Sequence, residues 1–298
     1  MTEKQFGRIE EALSKYNFDI KDEDVKETVK KLIAEKVAAN DTPEVKRFMF
    51  GSIELTTLTT TDSDESVLQL VEKVNKFDNE YPNYPHVATL VTYPRFTKLV
   101  SESLEVEGVI PTCVSGAFPS SQALIEVKTV ETGLAIRDGA GNVDIVMHVG
   151  QFLSGDYETV CDEIQQQKET CGDVPMKVIL ETGDLGSCAN IKKASILAMY
   201  SGADYIKTST GKEKVSATPE AAYMMCQAIK EYYDETGIMV GFKPSGGINS
   251  VMDALIYYTI VKEILGEKWL TNELFRLGTS RLANLLLSEL EGKEVKFF

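Results

Sequence analysis

Eight short apolar runs, separated by segments of helical periodicity, constrain the fold of this chain more than any other feature. The runs are Ser52–Leu55, His86–Thr92, Val109–Val114, Asn142–Val149, Met176–Glu181, Ala203–Lys207, Ile238–Lys243 and Leu274–Leu277. Between them lie amphipathic stretches such as Ser66–Phe77, Ser120–Ile136, Tyr157–Thr170 and Pro219–Thr236. Strands that are apolar on both faces belong in a parallel sheet covered by helices. Eight such βα units in residues 51–298 predict an α/β fold, a closed (β/α)8 barrel. An open doubly wound sheet would more often present a Gly-rich first turn, and no GxGxxG follows any of these runs.

The first 50 residues follow a different pattern. Val25, Val29, Leu32, Ile33 and Val37 recur at helical spacing, which predicts an N-terminal helical extension. Asn40-Asp41-Thr42-Pro43 reads as a helix stop and a fresh start, with Thr42 as N-cap and Pro43 at the first helical position. The extension holds 11 acids and 10 bases; the remaining 35 acids and 21 bases give residues 51–298 nearly all of the chain's net charge of −15. Three placements stay open for these helices: over the barrel floor, against its outside, or in a homodimer contact.

A net charge of −15 argues against nucleic acid as a partner, because an extended polyanion needs basic stripes to displace its counterions. No apolar run approaches a membrane span, and the polar start MTEKQFGRIEEALSK is not a signal peptide. The five cysteines form no CxxC pair, and there are two histidines, so neither a disulfide framework nor a metal site is expected. These features together predict a cytoplasmic protein that uses no cofactor and contacts no membrane.

Chemistry in a barrel of this kind gathers at the C-terminal ends of the strands. Charged residues there are Asp144 in VDIVMHVG, Lys207 in ADYIKTSTGK and Lys243 in MVGFKPSGG. Lys207 and Lys243 end adjacent strands, so two ammonium groups approach each other. A lysine beside another cation in a desolvated mouth loses part of its preference for the charged form, and a neutral amine can form a Schiff base with a carbonyl. The loops that follow contain Thr208–Lys212, Pro244–Gly247 and Leu277–Ser280. Small residues at three adjacent strand ends favour a phosphate pocket built from backbone N–H donors and helix N-termini.

At these residues the chain resembles the deoxyribose-phosphate aldolase family, over most of residues 51–290. The matching segments are ELTTLTTTDSDESV, VTYPRF, VDIVMHVG, KVILETGDL, ADYIKTSTGK, ATPEAA and GFKPSGGI. The resemblance implies a TIM barrel that reversibly cleaves 2-deoxyribose 5-phosphate to glyceraldehyde 3-phosphate and acetaldehyde, in deoxyribose breakdown. It implies that Lys207 is the Schiff-base nucleophile, that Lys243 lowers its pKa, and that Asp144 transfers protons through ordered water. It places Gly211, Gly246, Gly247 and Ser280 at the substrate phosphate, and Glu54 and Thr56 near substrate hydroxyls. The sequence departs from the family in Glu54, often Asp; His148, often Asn; and Arg281, often Ser. Two other readings share these residues: another Schiff-base phosphosugar lyase, or a barrel that binds sugar phosphates without catalysis.

Other residues read as structural. Lys177 and Glu181 share a strand face and are expected to form an internal ion pair that orients the site. His148 is expected to be a hydrogen-bonded structural histidine, Cys113 and Cys188 buried thiols, Tyr93-Pro94-Arg95 a turn, and Trp269 a packing residue.

Overall fold

The computed structural model describes residues 3–298, with side chains from Ile9 onward. Eight parallel strands form its centre: β1 (Ile53–Thr56), β2 (Thr89–Thr92), β3 (Ile110–Val114), β4 (Asn142–Val146), β5 (Met176–Ile179), β6 (Tyr205–Lys207), β7 (Gly241–Lys243) and β8 (Leu277–Thr279). Each pairs with its sequence neighbour, and β1 also pairs with β8. The ring closes between β7 and β8 through single bridges, Phe242 to Phe275 and Ser245 to Gly278. The (β/α)8 barrel expected from the eight apolar runs is therefore the observed fold.

Seven of the eight runs are longer than their strands, because the chain is buried or half-buried as it approaches or leaves them. His86 to Ala88 precede β2, and Met147 to Val149 follow β4. Helix limits follow local capping. In α10 (Pro219–Thr236), the Thr218 side chain accepts from the Ala221 amide, Pro219 opens the first turn, and Gly237 closes the helix at φ 72°. The helix after β3 begins later than periodicity predicted, as α6 (Ile125–Arg137). Gly116, Ala117 and Ser121 all take positive φ, so the loop they form cannot join a right-handed helix.

Alternation along the strands makes two apolar regions. Leu55, Leu90, Val143, Ile145, Val178, Ile206 and Phe242 belong to the large core between sheet and helices. Leu58, Val91 and Val114 form a small separate cluster, flanked by Tyr93 and Phe118. Other barrel-facing positions hold charge. Gly241 provides space for the Tyr205 ring beside them: a Cβ there would lie 2.3 Å from that ring.

The N-terminal helices lie against the outside of the barrel. They are α1 (Glu3–Ser14), α2 (Asp22–Lys36) and α3 (Pro43–Gly51). The helices α9 (Cys188–Tyr200) and α11 (Val251–Ile264) join α10 in receiving α2. Thr42 and Pro43 cap α3 as the sequence predicted. Asp22 Oδ1 accepts from the Cys188 amide at 3.0 Å, adding a carboxylate to the N-terminus of α9. Asn40 Nδ2 donates to Thr259 Oγ1 at 2.9 Å and its Oδ1 accepts from Lys262 at 3.2 Å, fixing the link before α3 to α11.

Trp269 packs between α11 and β8 and donates its indole N–H to Val240 O at 2.9 Å. His148 caps a short helix, α7 (Val149–Ser154), by accepting from the Gln151 amide. Cys113 and Cys188 are buried thiols, both pushed up to about 12 by burial. Gly241→Ala is expected to overpack the barrel interior against Tyr205 and lower stability by about 1–3 kcal/mol, measured by urea denaturation.

Candidate active site

Six charged side chains meet inside the barrel. Their backbones sit on adjacent strands: Lys177 pairs in register with Asp144, and Lys207 with Lys243. Glu54, Asp144, Lys177 and Lys243 are fully buried, Lys207 is 3% exposed and Arg276 5%. Asp144 is the hub. Its Oδ2 accepts from Lys243 Nζ at 2.6 Å and from Lys207 Nζ at 2.9 Å, while Oδ1 accepts from Lys177 Nζ at 3.1 Å. Glu54 Oε2 accepts from Lys243, and its Oε1 lies 3.2 Å from Lys177 and 3.6 Å from Arg276. Lys177 also donates to Asn142 Oδ1 at 3.0 Å.

Four bases against two acids leave the enclosed cluster with a positive excess. Burial opposes the ionised form of Asp144, but the charges of Lys177, Lys207 and Lys243 outweigh it and hold the carboxyl well below its ordinary range. Burial likewise opposes ionised Glu54, and Lys177 and Lys243 override it to hold its pKa low. Lys207 moves the other way. Burial lowers its pKa most, the Asp144 charge raises it, and the Lys243 charge lowers it again, giving about 8. Of the two causes expected from the sequence, desolvation and a neighbouring cation, desolvation is the larger.

Above the cluster lies a pocket of about 420 Å³, and Lys207 is the one member of the cluster that lines it. Thr56, Gly211, Gly246, Gly247 and Ser280 line the same pocket. The structure thus gathers five of the six residues assigned to substrate or phosphate. The sixth, Glu54, is fully buried beneath the pocket and does not line it; its carboxylate is a charge partner of Lys243 and Lys177. Lys243 and Asp144 also lie below, in contact with Lys207 through Asp144 Oδ2.

Glycine is required in the loops over this pocket. Gly246 and Gly247 both have φ of 76°, and a Cβ on Gly246 would lie 2.6 Å from Ser216 Oγ and 3.1 Å from Gly211 Cα. The loops after β6 and β7 therefore touch through glycine. Gly278 has a related role: a Cβ there would lie 2.9 Å from Lys243 Cε, so its absence gives that side chain passage to the cluster. Lys212 crosses the pocket mouth and donates to Leu58 O. Arg281 is exposed and lines the pocket, where its guanidinium can face an anion.

One expectation needs correction. Lys177 does form a buried ion pair, but with Asp144 and Glu54 rather than Glu181. Glu181 lies beyond the end of β5, at φ 53°, and its carboxylate turns to Thr210 instead. Strand alternation no longer applies once the backbone takes that conformation. Arg276 was not singled out, although it is a lone charge within an apolar strand run, the same signal that identified Lys207 and Lys243. Among the described residues, no group of three or more His, Cys, Asp or Glu side chains converges to hold a metal ion.

Comparison with known proteins agrees with this fold. The model of the DeoC/LacD family aldolases matches residues 53–263. The human deoxyribose-phosphate aldolase is 39% identical over 249 residues, covering 80% of this chain and 77% of the human protein. The mouse protein of the same name gives the same identity over the same length. Among solved structures, the tetrameric deoxyribose phosphate aldolase of Aeropyrum pernix is 25% identical, with a TM-score of 0.64, covering 87% of this chain and 96% of that one. An apo-form structure from Toxoplasma gondii ME49 has the same fold at a TM-score of 0.74 and 21% identity, covering 85% of this chain and 98% of that one. With more than two thirds of its length matched by the family model and by these relatives, this chain belongs to the DeoC/LacD aldolase family.

Proposed function

We propose that this aldolase joins acetaldehyde to D-glyceraldehyde 3-phosphate, and in reverse cleaves 2-deoxy-D-ribose 5-phosphate, through a Schiff base on Lys207. The observation that carries this reading is that Lys207 alone connects the buried charge cluster to the glycine-lined pocket. The human and mouse relatives bear the name of this activity, and the site's chemistry supports it from the residues upward.

A Schiff base needs a neutral amine, and a pKa near 8 makes a useful fraction of Lys207 neutral at physiological pH. Its lone pair adds to the acetaldehyde carbonyl carbon. Proton transfer and loss of water give the iminium. Loss of a methyl proton gives the enamine, whose carbon attacks the aldehyde of glyceraldehyde 3-phosphate. Hydrolysis of the new iminium returns free Lys207 and releases the sugar phosphate.

Asp144 is the group we assign to proton transfer, because its Oδ2 contacts both lysine nitrogens, with water carrying protons to and from the substrate carbon. While Lys207 is neutral, one of the three cations that hold Asp144 low is absent. Lys243 supplies a fixed positive charge that disfavours ionised Lys207. Gly211, Gly246, Gly247 and Ser280 hold the phosphate, and Thr56 faces the substrate. A single phosphate responds to these local donors within about one Debye length, roughly 8–10 Å, so the distant acidic surface does not prevent capture. We place the reaction in deoxyribose catabolism, and assign residues 1–50 to an outer helical extension of the barrel of residues 51–298. No helix among the described residues is long and apolar enough to cross a membrane.

Borohydride reduction with acetaldehyde, followed by peptide mass mapping, is expected to trap an ethyl adduct on Lys207, and Lys207→Met is expected to abolish both adduct and turnover. An active enzyme with no adduct would overturn the Schiff-base reading, and an adduct without cleavage of 2-deoxyribose 5-phosphate would direct the search to another phosphosugar. Protonation inactivates the amine, so kcat/KM is expected to fall as pH drops below about 8. Lys243→Met removes a like charge, so the same limb is expected to move to higher pH in a pH–rate profile. Gly246→Ala is expected to raise KM for 2-deoxyribose 5-phosphate by ~10-fold, and far more than for unphosphorylated 2-deoxyribose, in steady-state kinetics.

A further inference from the structure

Glu181 is buried beside the pocket without lining it, and the mechanism above does not use it. It lies two residues beyond β5, where the chain still pairs with its neighbour: the Leu180 amide donates to Lys207 O at 2.9 Å and the Thr182 amide to Thr208 O at 2.9 Å. Between these contacts Glu181 takes φ 53°, a left-handed conformation that disfavours side chains with a Cβ. Its carboxylate accepts from the Thr210 amide at 3.2 Å and 3.3 Å and from the Thr210 hydroxyl.

The hydrogen-bond inventory of that hydroxyl is nearly full. A threonine Oγ1 has one proton and two lone pairs. The proton goes to Glu181, and one lone pair accepts from the Lys212 amide at 3.1 Å. One lone pair remains for a ligand. Thr210 lines the pocket three residues after Lys207 and directly before Gly211, between the amine and the glycine loops. An acceptor whose aldehyde meets the enamine on Lys207 and whose phosphate sits at the glycines would place its intervening carbon near Thr210.

From this geometry we infer that Glu181 is a positioning residue, whose carboxylate fixes the Thr210 hydroxyl as a hydrogen-bond acceptor for a hydroxyl carried by the acceptor aldehyde. The inference rests on the aldolase reading of the pocket. A carboxylate with two oxygens and no proton enforces this polarity, because it can only accept. A glutamine in its place offers one acceptor and one N–H₂ donor to a site that presents two donors, so the Thr210 hydroxyl would turn its proton elsewhere. The Glu181 pKa lies above its ordinary value: burial raises it most, the two hydrogen bonds from Thr210 oppose that rise in part, and Asp184 and Glu213 add to it. The contact with Thr210 is therefore what favours the ionised form that the role requires.

The test compares two unphosphorylated acceptors, D-glyceraldehyde and propanal, each condensed with acetaldehyde. Glu181→Gln is expected to lower kcat/KM for D-glyceraldehyde by ~10-fold relative to propanal, mainly through KM. Thr210→Val, which removes the hydroxyl and keeps the branched shape, is expected to do the same. The double variant is expected to cost no more than Thr210→Val alone, because Glu181 acts through that hydroxyl. Glu181→Gly relieves the left-handed backbone and removes the carboxylate, and is expected to lose the same discrimination. Equal losses with both acceptors, retained discrimination, or additive losses in the double variant would overturn the inference; if Glu181→Gln fails to fold, the Thr210→Val and Glu181→Gly results decide it. Borohydride trapping on the wild-type enzyme tests the Lys207 reading separately, so failure of one is distinguishable from failure of the other.

Discussion

A single carboxylate shared among three ammonium groups is the contact on which the rest of this barrel depends. Asp144 on β4 accepts from lysines on β5, β6 and β7, and so joins four consecutive strands from the inside. Each of these ions would cost several kcal/mol to bury alone, so the cluster is tolerable only as a set. Glu54 on β1 extends it across the barrel to Lys243, Lys177 and Arg276. The proposed chemistry and the structural integrity of the barrel therefore rest on the same residues. A group that becomes neutral during the reaction changes the balance for all of them.

That arrangement also explains why one lysine, rather than several, faces the pocket. Lys177 and Lys243 are held below the pocket among acids, and Lys177 additionally lies 5.5 Å from the centre of the Tyr205 ring. Lys207 contacts one acid and opens on the pocket. Its position at the end of a three-residue strand gives it both neighbours: the cluster below and the glycine loops above. The small residues around it serve this layout through space rather than through contacts, as at Gly241 under Tyr205 and Gly278 beside Lys243.

Much of this was legible in the sequence, for definite physical reasons. Apolar runs at regular spacing specify parallel strands, and a lysine at the end of two successive runs specifies two amines in register. Lys207 and Lys243 are indeed paired partners in the sheet. What the sequence concealed was contact across the barrel and the point where local geometry changes. Glu54 and Arg276 lie far from Asp144 along the chain, and their meeting depends on closure of the ring. Glu181 was assigned to Lys177 by strand alternation, a rule that ends where its backbone turns left-handed. The N-terminal helices had an apolar stripe but no signal for their receiver, which proved to be the outer helices of the second half of the barrel.

The last seam of the ring has a consequence for the resting and working states of the enzyme. Elsewhere neighbouring strands share continuous ladders, whereas β7 and β8 meet at two single bridges, one of them Ser245 to Gly278. Two of the pocket's loops, those that hold Gly246-Gly247 and Ser280, leave the sheet at these same two strands. An anion gripped by Gly246 and Gly247 on one side and Ser280 on the other would span the seam like a clasp. Occupancy then becomes mechanical: ligand that binds only the closed ring stabilises it by mass action. A ligand held from both sides would therefore tie together the two strands that the sheet itself joins least.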